Sequence, residues 1–129
     1  MTDGPLVELE KLNRITEKII GCAYTVSNTL GIGFLEKVYE NALAVELRKN
    51  DLKFIQQAPI EVTYKGFIVG DYVADLLVED AVLVELKAVK TLDENHLAQC
   101  INYLKSSNYG VCLLINFGTK RIQIKRIIN

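Results

Sequence analysis

The stretch that decides the fold is residues 70–89, which read GDYVADLLVEDAVLVELKAV. Two runs rich in Val, Leu and Ala are separated by adjacent acidic residues, a pattern typical of two β-strands joined by a tight turn. The first run contains Asp75, and the second contains Glu85 and Lys87. The sequence therefore predicts a β-hairpin that carries two carboxylates and a lysine among apolar side chains.

Side-chain alternation places the two carboxylates of this hairpin close together. Glu85 and Lys87 share one face of the second strand because successive side chains point to opposite faces. If the turn sets Val78 opposite Val82, then Asp75 lies directly opposite Glu85, with Cβ atoms about 4.5–5.5 Å apart. At about 4 Å and an effective dielectric constant near 20, two such charges repel each other by on the order of 4 kcal/mol.

A bound cation would remove this repulsion. Ligation by oxygen alone suits a hard ion, so the pattern predicts a site for Mg²⁺ or Mn²⁺. The alternative is a salt bridge on the strand surface, in which Lys87 alone offsets the carboxylates. The apolar surroundings favour the metal site, whereas a different strand register would favour the salt bridge.

The rest of the chain predicts an α/β fold, an α+β mixed sheet within one domain over residues 1–129. Apolar residues at helical spacing predict three helices, and β-rich runs predict five strands. The predicted helices cover residues 6–30, 35–49 and 93–107, and the predicted strands cover residues 54–64, 70–78, 81–88, 109–117 and 121–127. The order is two helices, three antiparallel strands, a helix and two strands, and Pro59 marks an edge strand or a bulge.

Composition and cysteine usage predict a cytoplasmic protein without a membrane span. The sequence has 129 residues, half of them hydrophobic, and lacks the run of about 18 apolar residues that a membrane helix needs. Its three cysteines are odd in number and form no CxxC pair. They indicate buried thiols in a reducing compartment rather than disulfides or a zinc site.

Charge is unevenly distributed, although the net charge is only −1. Residues 1–98 carry 10 basic and 16 acidic side chains, whereas residues 99–129 carry five basic side chains and no acidic one. The near-neutral total argues against strong non-specific binding to nucleic acid. The basic end predicts either a solvated strand edge or a local phosphate-binding patch.

Motifs along the chain resemble those of one nuclease superfamily. Asp75, nine residues, then Glu85-Leu86-Lys87 resembles the D-x(n)-E-x-K signature of the PD-(D/E)xK nucleases, although Ala74 replaces the proline that names them. Residues 33–39, GFLEKVY, resemble the name-giving motif of the GxxExxY family within that superfamily. Further similar stretches are residues 70–79, 85–89, 96–99, 102–104 and 116–118, so that the resemblance covers residues 11–127.

The resemblance implies a helix-flanked mixed sheet and a metal-dependent nuclease acting on DNA or RNA. Asp75 and Glu85 would hold Mg²⁺ or Mn²⁺ together with the backbone carbonyl of Leu86. Glu36 would complete or extend the metal site. Lys87 would orient or deprotonate the attacking water, or stabilise the charge that develops on the phosphate.

Two further groups of residues have alternative interpretations. Gln99 and Tyr103 share a helix face with His96 and resemble the Gln-xxx-Tyr element that lies beside the site in some nuclease branches. The alternative is a polar helix face that hydrogen-bonds the sheet. Tyr39 shares a face with Glu36 and is expected to be a core aromatic with a satisfied hydroxyl. The alternatives are that it holds the Glu36 carboxylate or touches substrate.

The sequence also permits two functions other than catalysis. The chain could be a non-catalytic module of the nuclease fold that binds nucleic acid or a protein partner, since no recognition segment is visible beside the core. It could equally be a structural or regulatory homodimer, because the long amphipathic first helix can serve as an interface or as a core layer.

Overall fold

The computed structural model of the protein describes residues 5–128, and residues 1–4 and 129 of the predicted domain lie outside this range. Three helices and five strands follow one another in the order that the sequence predicts. They are α1 (Pro5–Leu30), α2 (Glu36–Lys49), β1 (Phe54–Tyr64), β2 (Phe67–Val78), β3 (Val82–Lys87), α3 (Glu94–Ser106), β4 (Val111–Asn116) and β5 (Gln123–Ile128).

The strands form one mixed sheet in the order β1-β2-β3-β4-β5. β3 and β4 run parallel because α3 carries the chain back between them, and the other neighbours are antiparallel. β1 and β5 are therefore the edge strands. Pro59 lies in β1, which confirms the predicted edge position. Lys125 and Arg126 are exposed on β5, as expected for a solvated strand edge.

The sheet separates two apolar layers. On one face, α1 and α2 pack against β2, β3 and β4, and Ile19 and Leu43 are fully buried there. On the other face, α3 packs through Cys100 and Leu104. The apolar stripe of α1 is thus a core layer, which is one of its two predicted roles.

The cysteines and the helices can be compared directly with what composition predicts. Cys22, Cys100 and Cys112 are buried free thiols, which confirms the predicted role of all three. Within residues 5–128, no helix is both long and apolar enough to cross a membrane.

Two tight turns set the positions of β2. The strand begins at Phe67, earlier than predicted, because Lys65 and Gly66 form a two-residue hairpin turn with φ of +50° and +86°. The turn that follows β2 sets Val78 opposite Val82, which confirms the register on which the predicted carboxylate pair depends.

Candidate metal centre

The open end of the β2–β3 hairpin is closed by two carboxylates. Regular pairing of the two strands reaches Leu76 opposite Val84, so that Asp75 and Glu85 occupy the next positions. The backbone N–H of Asp75 donates to Oε1 of Glu85 at 3.0 Å, and the backbone N–H of Leu86 donates to Oδ2 of Asp75 at 2.7 Å. Each carboxylate therefore accepts a hydrogen bond from the opposite strand, which fixes both side chains in place.

Burial and mutual repulsion make the pair reluctant to carry two negative charges. Glu85 is only 3% exposed, and its pKa rises to about 8, first because burial removes solvent and next because Asp75 lies beside it. The hydrogen bond from the Asp75 backbone and the charge of Lys87 oppose this rise without cancelling it. Burial also raises the pKa of Asp75. The pair therefore favours a bound proton or a bound cation at neutral pH.

Lys87 lies on the same side as Glu85, as the alternation of β3 predicts. Its Nζ is 3.8 Å from Oε2 of Glu85, and its side chain is 17% exposed. This ion pair is loose, and the pKa of Glu85 stays raised in its presence. A salt bridge to Lys87 alone thus leaves the carboxylate pair incompletely neutralised.

The regular alternation of the sheet breaks beside Asp75. Leu76 contributes to the core under α1 and α2, whereas Ala74 contributes to the core under α3, although the two residues have the same parity in β2. On the neighbouring strand, Gln57 has a φ of +56°, which is rare for a residue other than glycine. A hydrogen bond from its side chain lowers the pKa of Asp75 against the larger effect of burial. The irregular conformation of β1 therefore brings the side-chain amide of Gln57 to the carboxylate of Asp75.

Glu40 is a buried acid of the site region that the sequence analysis missed. It is 3% exposed, and its carboxylate accepts hydrogen bonds from Lys37 at 3.0 Å, Gln56 at 2.8 Å and Gln57 at 2.9 Å. Burial raises the pKa of Asp75, and the charge of Glu40 adds to that rise. Glu40 thus ties α2 to the irregular part of β1 and adds negative potential beside the carboxylate pair.

Glu36 lies near the pair but does not join it in one ligand cluster. It is exposed in the first turn of α2. Partial loss of solvent raises its pKa, the charge of Lys87 lowers it and the charge of Asp75 raises it, so both charges lie within electrostatic range of Glu36. Within residues 5–128, no three His, Cys, Asp or Glu side chains are close enough to hold one ion.

The donor groups that are present fit a hard divalent cation. Asp75 and Glu85 offer carboxylate oxygens in a largely buried position where two negative charges are disfavoured, and such oxygens are the ligands that Mg²⁺ prefers. Mg²⁺ usually keeps several waters and takes only one or two carboxylates from the protein. A third acidic ligand from Glu36 is therefore not required.

The polar face of α3 hydrogen-bonds the sheet. Nε2 of Gln99 donates to the hydroxyl of Tyr103 at 2.9 Å, and that hydroxyl donates to the carbonyl of Val73 at 3.1 Å. Burial raises the pKa of Tyr103, and the charges of Glu85 and Asp75 raise it further, so this face adjoins the carboxylates. These contacts match the structural interpretation of the face, and a catalytic role for Gln99 and Tyr103 stays a prediction.

His96, on the same helix face, serves the start of α3. Its Nδ1 accepts a hydrogen bond from the backbone N–H of Asp93 at 3.1 Å, while the Asp93 carboxylate accepts from the backbone N–H groups of Asn95 and His96. This reciprocal arrangement is a capping box. It holds the imidazole at the beginning of the helix.

Tyr39 is a core aromatic with a satisfied hydroxyl, as the sequence analysis expected. The side chain is fully buried and stacks on Phe117 with ring centroids 4.7 Å apart. Its hydroxyl donates to the carbonyl of Gly31 at 2.6 Å and accepts from the backbone N–H of Phe34 at 3.3 Å. Tyr39 therefore fixes the loop that leads into Glu36.

Residues 116–118, to which the sequence analysis gave no structural role, fix the segment after Lys87. Oδ1 of Asn116 accepts from the backbone N–H of Val89 at 3.0 Å, and its Nδ2 donates to the carbonyl of Val89 at 2.9 Å. A Cβ on Gly118 would lie 2.2 Å from that same carbonyl oxygen, so only glycine fits there. The end of β4 thereby holds the chain just beyond Lys87.

Comparison with known proteins identifies the family of this chain. A family model described as the PD-(D/E)XK nuclease superfamily matches residues 13–127. The chain belongs to the PD-(D/E)XK nuclease superfamily. Nucleases of this superfamily generally use divalent metal ions and act on nucleic acid. The sequence resemblance to the superfamily is thus confirmed, and the matched residues include Asp75, Glu85 and Lys87.

A solved structure supports the same fold. The chain is similar to the crystal structure of an alkaline exonuclease (LHK-Exo) from Laribacter hongkongensis, with a TM-score of 0.53 and 15% sequence identity. The similarity covers 100% of this chain and 72% of that chain. No curated protein matches this sequence significantly. At such low identity the likeness shows the fold alone, and together with the family match it confirms the predicted helix-flanked mixed sheet.

Proposed function

We propose that this PD-(D/E)XK protein is a divalent-metal-dependent nuclease that hydrolyses phosphodiester bonds of DNA or RNA. The observation that carries the proposal is the reciprocal pairing of Asp75 and Glu85 across the end of the β2–β3 hairpin. Two partly desolvated carboxylates with raised pKa values form a poor structural contact and a good cation site. The motif around Glu36 further supports membership of the GxxExxY branch.

Each charged residue has a role in this proposal. Asp75 and Glu85 would hold Mg²⁺ or Mn²⁺, with the backbone carbonyl of Leu86 as a further ligand. Glu36, at the start of α2, extends the acidic surface toward the ion. A bound divalent ion supplies a water of lowered pKa and neutralises phosphate oxygens. Lys87 orients or deprotonates the attacking water, or stabilises charge that develops on the phosphate.

Gln99 and Tyr103 support the carboxylates from α3. Their hydrogen-bonded chain ends on the carbonyl of Val73, two residues before Asp75 in β2. In the proposed enzyme, these two hydrogen bonds hold β2 in place just before Asp75, and the two side chains present a polar surface to the substrate.

A cleavage assay tests the proposal. Labelled single-stranded and duplex DNA and RNA are incubated with the protein in Mn²⁺, in Mg²⁺ and in EDTA. Asp75→Asn keeps an acceptor for the Leu86 N–H and removes the charge, so we expect cleavage that requires metal and that this variant loses. Asp71→Asn is the matched control, because Asp71 is an exposed acid in the same strand. Equal cleavage by Asp75→Asn and wild type would refute the assigned site.

A non-catalytic module that binds a protein partner, or a second copy of the chain, is the second candidate. The observation that favours it is an apolar cluster at the tip of the β1–β2 hairpin, where Phe67 is 74% exposed and Ile68 and Val69 are 59% and 62% exposed. Sedimentation of wild type against Phe67→Ser tests it. A monomer in both cases, together with metal-dependent cleavage, would exclude the homodimer as the functional form.

A further inference from the structure

A cavity of about 460 Å³ opens between α3 and β2. Its volume falls in the range of small-molecule sites, about 300–1,000 Å³. The side chains of Tyr72 and Tyr103 provide aromatic walls, and their ring centroids are 5.7 Å apart. Asn95, Gln99 and Asn102 line the cavity with amides along one face of α3.

Tyr103 connects this cavity to the carboxylate pair. Its ring lines the cavity, and its hydroxyl donates to the carbonyl of Val73 at 3.1 Å, two residues from Asp75 along β2. The cavity is therefore anchored to the part of β2 that carries Asp75.

The cavity walls suit a neutral, flat, polar-edged group. Among the described residues that line it, there is neither a carboxylate nor a lysine or arginine. Its one titratable imidazole, that of His96, already accepts a hydrogen bond through Nδ1 from the backbone of Asp93. Such walls offer little to a phosphate. Amide groups can donate to and accept from the edge of a nucleobase, and an aromatic ring can stack on its face.

We propose that this cavity binds a nucleobase next to the scissile phosphate, with Tyr72 as the stacking platform. Tyr72 is 45% exposed, which leaves part of the residue open to a ligand, and its ring is tilted by 55° against that of Tyr103. Asn95 and Asn102 contact the edge of the base. This inference rests on the proposed function, because it places the cavity beside a nuclease centre.

The cavity also restricts the substrate class. A base that stacks on Tyr72 has left its neighbours in the strand and its partner in a duplex, and such extrusion costs least where the nucleotide is already unpaired. The substrate is therefore single-stranded nucleic acid, or the unpaired end of a duplex. Within this class, stacking tolerates every base because each has a flat aromatic face.

Binding in EDTA tests this inference separately from cleavage. The probes are short oligothymidylates that carry one 2-aminopurine, whose fluorescence falls when it stacks, at successive positions. We expect the wild type to quench the probe at one or a few adjacent positions. Loss of an aromatic stacking partner reduces affinity by about 5- to 150-fold per base. Tyr72→Ala is therefore expected to bind at least about fivefold more weakly and to lose the quenching.

Two controls make the result specific. Tyr72→Phe keeps the ring and should keep both affinity and quenching. If the Tyr72 hydroxyl had a merely structural role instead, this variant would bind the oligonucleotide more weakly. Tyr64→Ala removes an exposed tyrosine from the far end of the same hairpin and should behave as wild type. In a fully paired duplex the same probe is already stacked, and adding the protein should not change its fluorescence.

The outcomes separate this inference from the proposed function. Equal binding and quenching by Tyr72→Ala and wild type, or no oligonucleotide binding by the wild type, would overturn the inference even if the protein cleaves nucleic acid. Tyr72-dependent binding without any metal-dependent cleavage would uphold the base site and refute the nuclease.

Discussion

The carboxylate pair predicts an unusual dependence of stability on pH. Burial and the neighbouring Asp75 raise the pKa of Glu85 from 4.5 in an ordinary glutamate to about 8. The folded protein therefore holds this proton more tightly than the unfolded chain does. The resulting stabilisation is complete below about pH 4.5 and is lost as the pH rises through about 8. Metal-free protein should thus become less stable across this window.

The size of the effect follows from the same values. The difference between 4.5 and about 8, at 1.36 kcal/mol per pH unit, gives on the order of 5 kcal/mol, which is an upper bound because the two carboxyls titrate together. Glu85→Gln keeps an acceptor for the Asp75 N–H and removes the titrating group. Its free energy of unfolding should therefore exceed that of wild type by several kcal/mol at the top of the window and by much less at the bottom.

Urea denaturation in EDTA at a series of pH values measures this difference. Glu61→Gln serves as the control, because Glu61 is an exposed acid of β1 and its variant should follow the wild-type curve. Added Mn²⁺ should restore the stability of wild type at high pH and leave Glu85→Gln nearly unchanged. A constant offset between Glu85→Gln and wild type at every pH would refute the reasoning.

Three further predictions concern the surroundings of the pair. Lys87→Met should reduce cleavage by about 10²-fold or more while Mn²⁺ titration shows retained binding, because Lys87 is assigned to the reaction and contacts the carboxylates only loosely. Glu40→Leu should lower the free energy of unfolding by roughly 1–3 kcal/mol in urea, since it removes a buried acceptor that Lys37, Gln56 and Gln57 share. Gly118→Ala should lower the melting temperature, because its Cβ would meet the Val89 carbonyl; unchanged melting would contradict that contact.

The sequence was sufficient to predict the carboxylate pair because the signals for it are local. Alternation along β3 and a short turn after Val78 determine which side chains of the hairpin face one another, and both are readable within residues 70–89. The element order was likewise predictable from periodicity. The start of β2 was placed too late because the two-residue turn at Lys65-Gly66 lets the strands pair sooner.

The parts of the site that depend on distant contacts could not be predicted. Glu40 is buried by the amides of Gln56 and Gln57, which lie 16 and 17 residues away in the chain. Gln57 adopts a left-handed conformation without being glycine, so its sequence gives no sign of the irregularity beside Asp75. A weak signal did exist, since Glu40 follows Glu36 by one helical turn and both therefore point to the same side of α2.

For α3 as well, the local contacts could be predicted from the sequence and the distant ones could not. The four-residue spacing of Gln99 and Tyr103 correctly indicated a shared face, and the hydrogen bond between them follows from it. The nucleobase site proposed beside that face could not be predicted from spacing. Its stacking residue, Tyr72, comes from a strand some thirty residues earlier and approaches Tyr103 only in the folded chain. A cavity between two elements exists only once their packing is known.

The most direct test of the central claim is isothermal titration of the purified protein with Mn²⁺ at neutral pH. Wild type is compared with Asp75→Asn and Glu85→Gln, with Glu61→Gln as the control. The carboxylate pair predicts saturable binding that both site variants lose and that the control retains. Binding by either site variant with wild-type affinity, or the absence of binding in the wild type, would contradict a metal centre at Asp75 and Glu85.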